Sequence, residues 1–142
     1  MPNPRKAVEF DGIGLLTATY KIDASTITYD ATKTGGSASV GLAVTLSADD
    51  TVALVADADA IEGKLLSVEA DGMCTVQVGG YMTLPGGNGA TLTRGLAIVG
   101  ALGAASAKGY IRVAASGTAA ELVKCRGGIV RNGTTTAVVV KL

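Results

Sequence analysis

The sequence predicts an all-β fold: a small β-barrel or β-sandwich built of hairpins, with an extended N-terminal arm and little helix. Three observations carry this. Apolar residues recur at a spacing of two, the period of a strand with one buried face, and no segment sustains a helical stripe. The 20 glycines and many threonines suit turns and strands better than helices. The 48% hydrophobic content is mostly Ala, Val, Leu and Ile, with one Phe and no Trp, so the core must be thin layers of small side chains. At 142 residues one β domain is expected, residues 15–142, preceded by an arm at residues 1–14.

In the arm, Pro2 and Pro4 block regular pairing, Arg5 and Lys6 are charged, and Gly12 and Gly14 loosen the exit. Such a segment either frays or is ordered by a partner. Leu15–Tyr20 and Ser25–Tyr29 read as strands, and ATKTGGSAS (31–39) as a polar, mobile loop around Gly35-Gly36. Val40–Leu46 and Thr51–Ala56 are continuously apolar, which predicts burial on both faces.

The hairpin signal is strongest at Gly63–Val78, where Asp71-Gly72 separates two alternating runs. A two-residue loop would mix apolar and polar side chains on each face. A three-residue loop, Ala70-Asp71-Gly72, pairs Val68 with Cys74 and Leu66 with Val76 on one face, and Ser67 with Thr75 and Leu65 with Gln77 on the other. This predicts a type I turn with Gly72 left-handed in a bulge.

Beyond it, Gly79-Gly80 and PGGNG (85–89) break the chain. The latter lacks the Lys-Ser/Thr and following helix of a phosphate loop and reads as a tight surface loop. Leu96–Val99 reads as a short strand. Tyr110–Ala115 and Thr118–Cys125 read as a second hairpin around Ser116-Gly117, pairing Ile111 with Leu122 and Val113 with Ala120 and opposing Arg112 to Glu121. Asn132-Gly133 reads as a hairpin turn, and Thr135–Leu142 as a closing strand inside the sheet, since an exposed edge of that composition would invite aggregation.

Several chemistries find no constellation here. There is no histidine, the usual general base near neutral pH. Cys74 and Cys125 lack metal spacing and read as small buried apolar residues rather than a disulfide. Asp57, Asp59 and Glu62 are three carboxylates within six residues. A Ca²⁺ site or acid–base pair would use such groups, but the spacing is not that of an EF-hand and nothing beside it suggests a nucleophile. It reads as a solvated turn. Arg126-Gly127-Gly128 is one copy of an RNA-binding repeat unit, without net basic charge or stacking aromatics to support it. An aromatic platform for sugars is equally missing. No catalytic residue, metal or cofactor is therefore assigned, and MPNPRKAVEFDG, without the apolar core of a signal peptide, predicts synthesis in the cytosol.

Charge is zero overall but uneven. Residues 1–71 carry five Lys/Arg and eleven Asp/Glu, whereas residues 72–142 carry seven Lys/Arg and only Glu121. Folding either mixes these into one surface or leaves two faces of opposite sign, which would favour side-by-side assembly or docking on a charged lattice.

The run VGLAVTLSADDTVALVADADAIEGKLLSVEADGMCTVQVGG (40–80), followed by PGG, TRG and a closing TTTAVVVKL, resembles the capsid cement (decoration) proteins of tailed bacteriophages. The matching elements are a G-x-A-V strand, V-A-L, I-x-G-K-L, the V-E-A-D-G…T-V-Q-V-x-G hairpin and a glycine turn before a valine-rich last strand, together spanning roughly residues 40–142. The resemblance implies a non-enzymatic virion protein on the outside of the expanded head. It would bridge neighbouring major capsid proteins as a homo-oligomer, with a trimer favoured, and contact neither nucleic acid nor membrane. Contacts are then expected from the arm and from two Gly- and Pro-rich loops: Pro2, Asn3, Pro4, Arg5, Lys6, Phe10, Lys33, Gly35, Gly36, Pro85 and Asn88. The alternative is another β-rich virion component, a tail-tube or head-fibre protein.

Overall fold

The computed structural model describes residues 13–90, 92–134 and 137–142. Five strands close a barrel: β1 (Leu16–Ile22), β2 (Ala43–Ala48), β3 (Thr51–Leu54), β4 (Gly63–Val68) and β5 (Met73–Gly79), in the order β1-β3-β2-β4-β5. Antiparallel β1–β5 pairing closes it, and β1–β3 is parallel. Its core is Ile27, Val44, Val52, Leu65, Val68, Cys74 and Val76. The all-β barrel is thus the fold that the spacing and glycine content predict.

The β4–β5 hairpin has the expected turn. Gly72 donates to Glu69 O at 3.1 Å, Glu69 N–H to Met73 O at 2.8 Å, and Gly72 has φ +85. Val68 faces Cys74 and Ser67 faces Thr75. The register then slips by one residue, so Leu65 rather than Leu66 lies opposite Val76, and Gln77 faces Lys64. The bulge reverses side-chain parity, which lets Leu65 and Val68, three apart, both point into the core. Gln77, expected on the outer face, is buried; its amide donates to Gly79 O and Tyr81 O and holds the Gly79-Gly80 corner.

Other expectations change for local reasons. Ser25–Tyr29 is not a strand. Asp23 Oδ1 accepts from Ser25 N–H (3.0 Å) and Oγ (2.6 Å), and Asp23 O accepts from Thr26 and Ile27, so side-chain chemistry makes a turn. Val40–Leu42 also turns, with Gly41 at φ +94, and the strand begins at Ala43. The 31–39 loop is seated on β4: a Cβ on Gly36 would lie 2.0 Å from Val68 O. The PGGNG loop is half buried, with Gly86 and Gly87 covered and Asn88 and Gly89 exposed.

The second half supplies β6 (Tyr81–Leu84), β7 (Ile98–Ala101), β8 (Tyr110–Val113), the single helical turn α1 (Ala119–Leu122), β9 (Gly128–Thr134) and β10 (Ala137–Lys141). β10 is the central strand of β6-β10-β9, as expected for so apolar a segment, and β7 pairs with β8. Bridges join the two sheets: Gly86 to Ile111 and Ile98 to Arg126. Strands β6, β10, β9, β7 and β8 therefore form a second ring, closed by bridges rather than ladders. The expected Tyr110–Cys125 hairpin does not form, because β8 takes β7 as its partner and 119–122 coils. Asn132-Gly133 lies inside β9, and the β9–β10 connection falls outside the described residues.

The two rings share a wall. Ala43, Val55 and Ile61 join the second core with Met82, Leu84, Ile98, Ile111, Ile129, Val138 and Val140, while neighbouring Val44 and Val52 face the barrel core. Double burial is thus realised at Ala43-Val44 and over 52–55, but not along the rest of β2, where Leu46 is half exposed. Backbone bonds stitch the junction: Ala43 N–H to Gly109 O (2.9 Å), Gly109 N–H to Val55 O (2.9 Å) and Ala58 N–H to Gly100 O (2.9 Å). Gly100 must be glycine, since a Cβ there would lie 2.4 Å from Ala56 O.

Gly36→Ala combines a backbone clash with positive φ and is expected to destabilise by about 1–3 kcal/mol in urea unfolding. Gly117→Ala, with nothing within 4 Å and no positive φ, should stay within about 0.5 kcal/mol of the parent.

Candidate assembly surface

Exposed apolar residues collect where the arm joins the barrel. Ile13, Leu15 and Leu16 are 53%, 56% and 61% exposed. Scattered exposed leucines are ordinary, but three large apolar side chains within four residues are a patch. The surrounding backbone is ordered by hydrogen bonds: Tyr81 N–H donates to Ile13 O (2.9 Å) and Leu142 N–H to Gly80 O (3.1 Å). A Cβ on Gly80 would lie 2.4 Å from Gly14 O, so this glycine admits the incoming chain. The patch therefore sits near half-buried Leu142, at the corner that Gly14 makes with Gly80. In the sequence this run is divided between the end of the expected arm and the start of the expected strand at Leu15.

Of the expected contact residues, Pro2, Asn3, Pro4, Arg5, Lys6 and Phe10 lie outside the described residues. Lys33, Gly35 and Asn88 are exposed. Gly36 is turned into β4, and Pro85 is half buried, its carbonyl accepting from Ile111 N–H at 3.0 Å. Those two support their loops from beneath. A groove of 570 Å³ opens between Asn88-Gly89 and the Asp57–Arg112 pair.

Arg112 organises the other side of that groove. Its Nε bonds Asp57 at 2.9 Å, and its two terminal nitrogens grip Glu121, whose Oε2 also accepts from Ala115 N–H. The Arg112–Glu121 partnership expected from sequence is real, but it ties α1 to a strand end rather than crossing a ladder. The Arg112 guanidinium, then the Ala115 amide, draw the Glu121 carboxyl down to about 2, and the same contact raises Arg112. Beside this anchor α1 leaves Leu122 and Val123 exposed, the latter at 83%.

The acidic triplet does not converge. Asp57 faces Arg112, Asp59 Oδ2 accepts from Ala56 N–H (2.8 Å), and Glu62 accepts from the Tyr20 hydroxyl (2.7 Å), which pushes that phenol up to about 12. Among the described residues, no three His, Cys, Asp or Glu side chains gather to hold a metal. Arg126, of the RGG run, donates to Ile61 O, Glu62 O and Val78 O and so clamps the two rings together. Cys74 and Cys125 are both free: Cys74 is buried, its thiol pushed up by desolvation, whereas Cys125 is half buried. No described helix is long and apolar enough to cross a membrane.

The charge asymmetry survives folding. Residues 13–79, which build the barrel, carry three lysines against nine carboxylates. Residues 80–142, which build the second ring, carry seven Lys/Arg against Glu121 alone. Asp57–Arg112 is the ion pair across the junction among the described residues. The barrel segment is thus net acidic and the segment of the second ring net basic, with Asp57 and Asp59 at the junction between them.

The chain matches no family model, no curated protein and no solved structure.

Because the folded Glu121 carboxyl titrates near 2 and its ordinary value is 4.5, the unfolded chain binds the proton first as pH falls. The stability contributed by this contact is complete above about 4.5 and is lost toward 2. In urea unfolding, the difference between the parent and Glu121→Gln should be largest above that window and shrink on acidification through it.

Proposed function

We propose that this chain is a decoration protein of a tailed-bacteriophage head. It would bind the outer surface of the expanded capsid and bridge neighbouring major capsid proteins, working as a homo-oligomer with a trimer favoured. The observation that carries the reading is the polarised body, one acidic ring and one basic ring, with an apolar patch at the root of the arm. The residue pattern of 40–142 points the same way. Opposite charges steer copies into a common orientation, and the apolar patch adds short-range attraction once charges have aligned them. Each contact can be weak, because copies joined in an oligomer dock together and the effective concentration of the second contact multiplies the affinity of the first.

The same polarity favours one other reading. An acidic face meeting a basic face is a head-to-tail contact; it closes into a ring if the rotation allows and otherwise grows into an open polymer. A tail-tube or head-fibre component would use the second outcome.

The decisive experiment is solution mass of the purified chain, followed by pelleting with empty expanded heads. Decoration predicts a small closed oligomer that co-sediments with heads. Removing residues 2–12, which leaves the Ile13 bond to Tyr81 intact, should abolish co-sedimentation with an unchanged circular dichroism spectrum. Absence of head binding by the full chain would sink the reading, and tubes growing without heads would transfer it to the second one.

A further inference from the structure

We propose that Asn88 is a site of spontaneous deamidation, a covalent modification built into the half-buried glycine loop. The Gly89 backbone nitrogen, on losing its proton, attacks Asn88 Cγ. The new N–C bond closes a succinimide and the side-chain nitrogen leaves as ammonia. Water then opens the ring at either carbonyl, giving aspartate or its isoaspartyl isomer. No oxidant or cofactor is needed, and no catalyst beyond hydroxide.

Four observations place the reaction here. Asn88 and Gly89 are both exposed, so water and hydroxide reach them. Gly89 has no Cβ to block the approaching amide, and nothing lies within 4 Å of where one would be. The flanking amides are anchored, Asn88 N–H on Leu102 O (3.0 Å) and Ala90 N–H on Gly87 O (3.1 Å), while among the described residues no hydrogen bond engages the Gly89 N–H between them. The Asn88 side chain likewise has no hydrogen bond among the described residues that would hold it away from that nitrogen.

Two similar dipeptides in the same chain serve as internal comparisons. Asn132-Gly133 lies within β9, flanked by Arg131 and Thr134, which pair with Val139 and Ala137 of β10. Ring closure there requires the ladder to open first. Asp71-Gly72 is occupied on both sides: Asp71 Oδ1 accepts from Met73 N–H (3.0 Å) and Gly72 N–H donates to Glu69 O (3.1 Å). The structure thus separates one reactive site from two guarded ones with nearly the same local sequence.

The product matters for the surface. A carboxylate at 88 would face Asp57 and Arg112 across the groove and lower the positive charge of the basic ring. The isoaspartyl form would also insert a methylene into the backbone of the loop. The inference stands on local geometry and does not depend on the capsid reading.

The folded full-length chain is held at mildly alkaline pH and sampled over days, then digested with trypsin. Residues 65–94 contain Asn88 as their sole asparagine, and residues 132–141 contain Asn132 as theirs. The amide-to-acid mass step, localised to Asn88 by fragmentation, should accumulate in the first peptide at least roughly tenfold faster than in the second, because the strand must open before its own asparagine can react. In denaturant the two rates should converge. Asn88→Gln, an exposed change, should abolish the step in 65–94. An unmodified 65–94 peptide, or equal rates for the two peptides in the folded protein, would overturn the proposal.

Discussion

Strands β2 and β3 have to serve two hydrophobic cores at once, and the rest of the molecule follows from that demand. Ala43 faces one core and Val44 the other, and Val52 and Val55 divide in the same way. A strand buried on both faces cannot place charge on either. Polar residues are therefore pushed to its ends, where Asp49, Asp50, Asp57 and Asp59 turn the chain. The same demand explains the side-chain inventory. A wall only one strand thick, packed from both sides, is filled by Val, Ile and Ala, whereas a large aromatic would displace the opposite core. Glycine enters where two backbones must touch, at Gly63 beneath Gln77 O and at Gly100 beneath Ala56 O.

The wall also makes the two rings interdependent. Arg126 sends three hydrogen bonds from the second ring to carbonyls of the first, and Gly100 and Gly109 exchange backbone bonds with the Val55–Asp59 segment. These groups are partly buried and would be costly to leave unpaired, so separating the rings loses polar bonds as well as apolar contact. Neither ring presents a ladder to its neighbour, and the junction relies on individual hydrogen bonds at tightly packed positions.

Asp57, Asp59 and Glu62 are committed to three different partners. Exposed on the described surface are the apolar side chains at 13–16, the end of α1 and the Asn88 loop.

The sequence by itself determined the β class, the Gly72 turn, the double burial of the Ala43-Val44 and 52–55 segments, the central position of the last strand and the partnership of Arg112 with Glu121. Each is readable from period-two spacing, local turn chemistry or complementary charge. Of the residues expected to make contacts, Lys33, Gly35 and Asn88 are exposed, and the separation of charge along the chain is legible in the sequence, which leaves open whether folding mixes it. Tertiary structure alone decided the remainder. A bulge at Leu66 changed which leucine enters the core, because residues three apart both had to be buried. Tyr110–Val113 left its sequence neighbour for β7, and 119–122 coiled instead of pairing. Asn132-Gly133, a turn by its residues, lies within a strand. A strand's hydrogen-bonding edges are the same whichever partner takes them, so pairing is chosen by which combination buries the most apolar surface, a property of the whole chain that no local window contains.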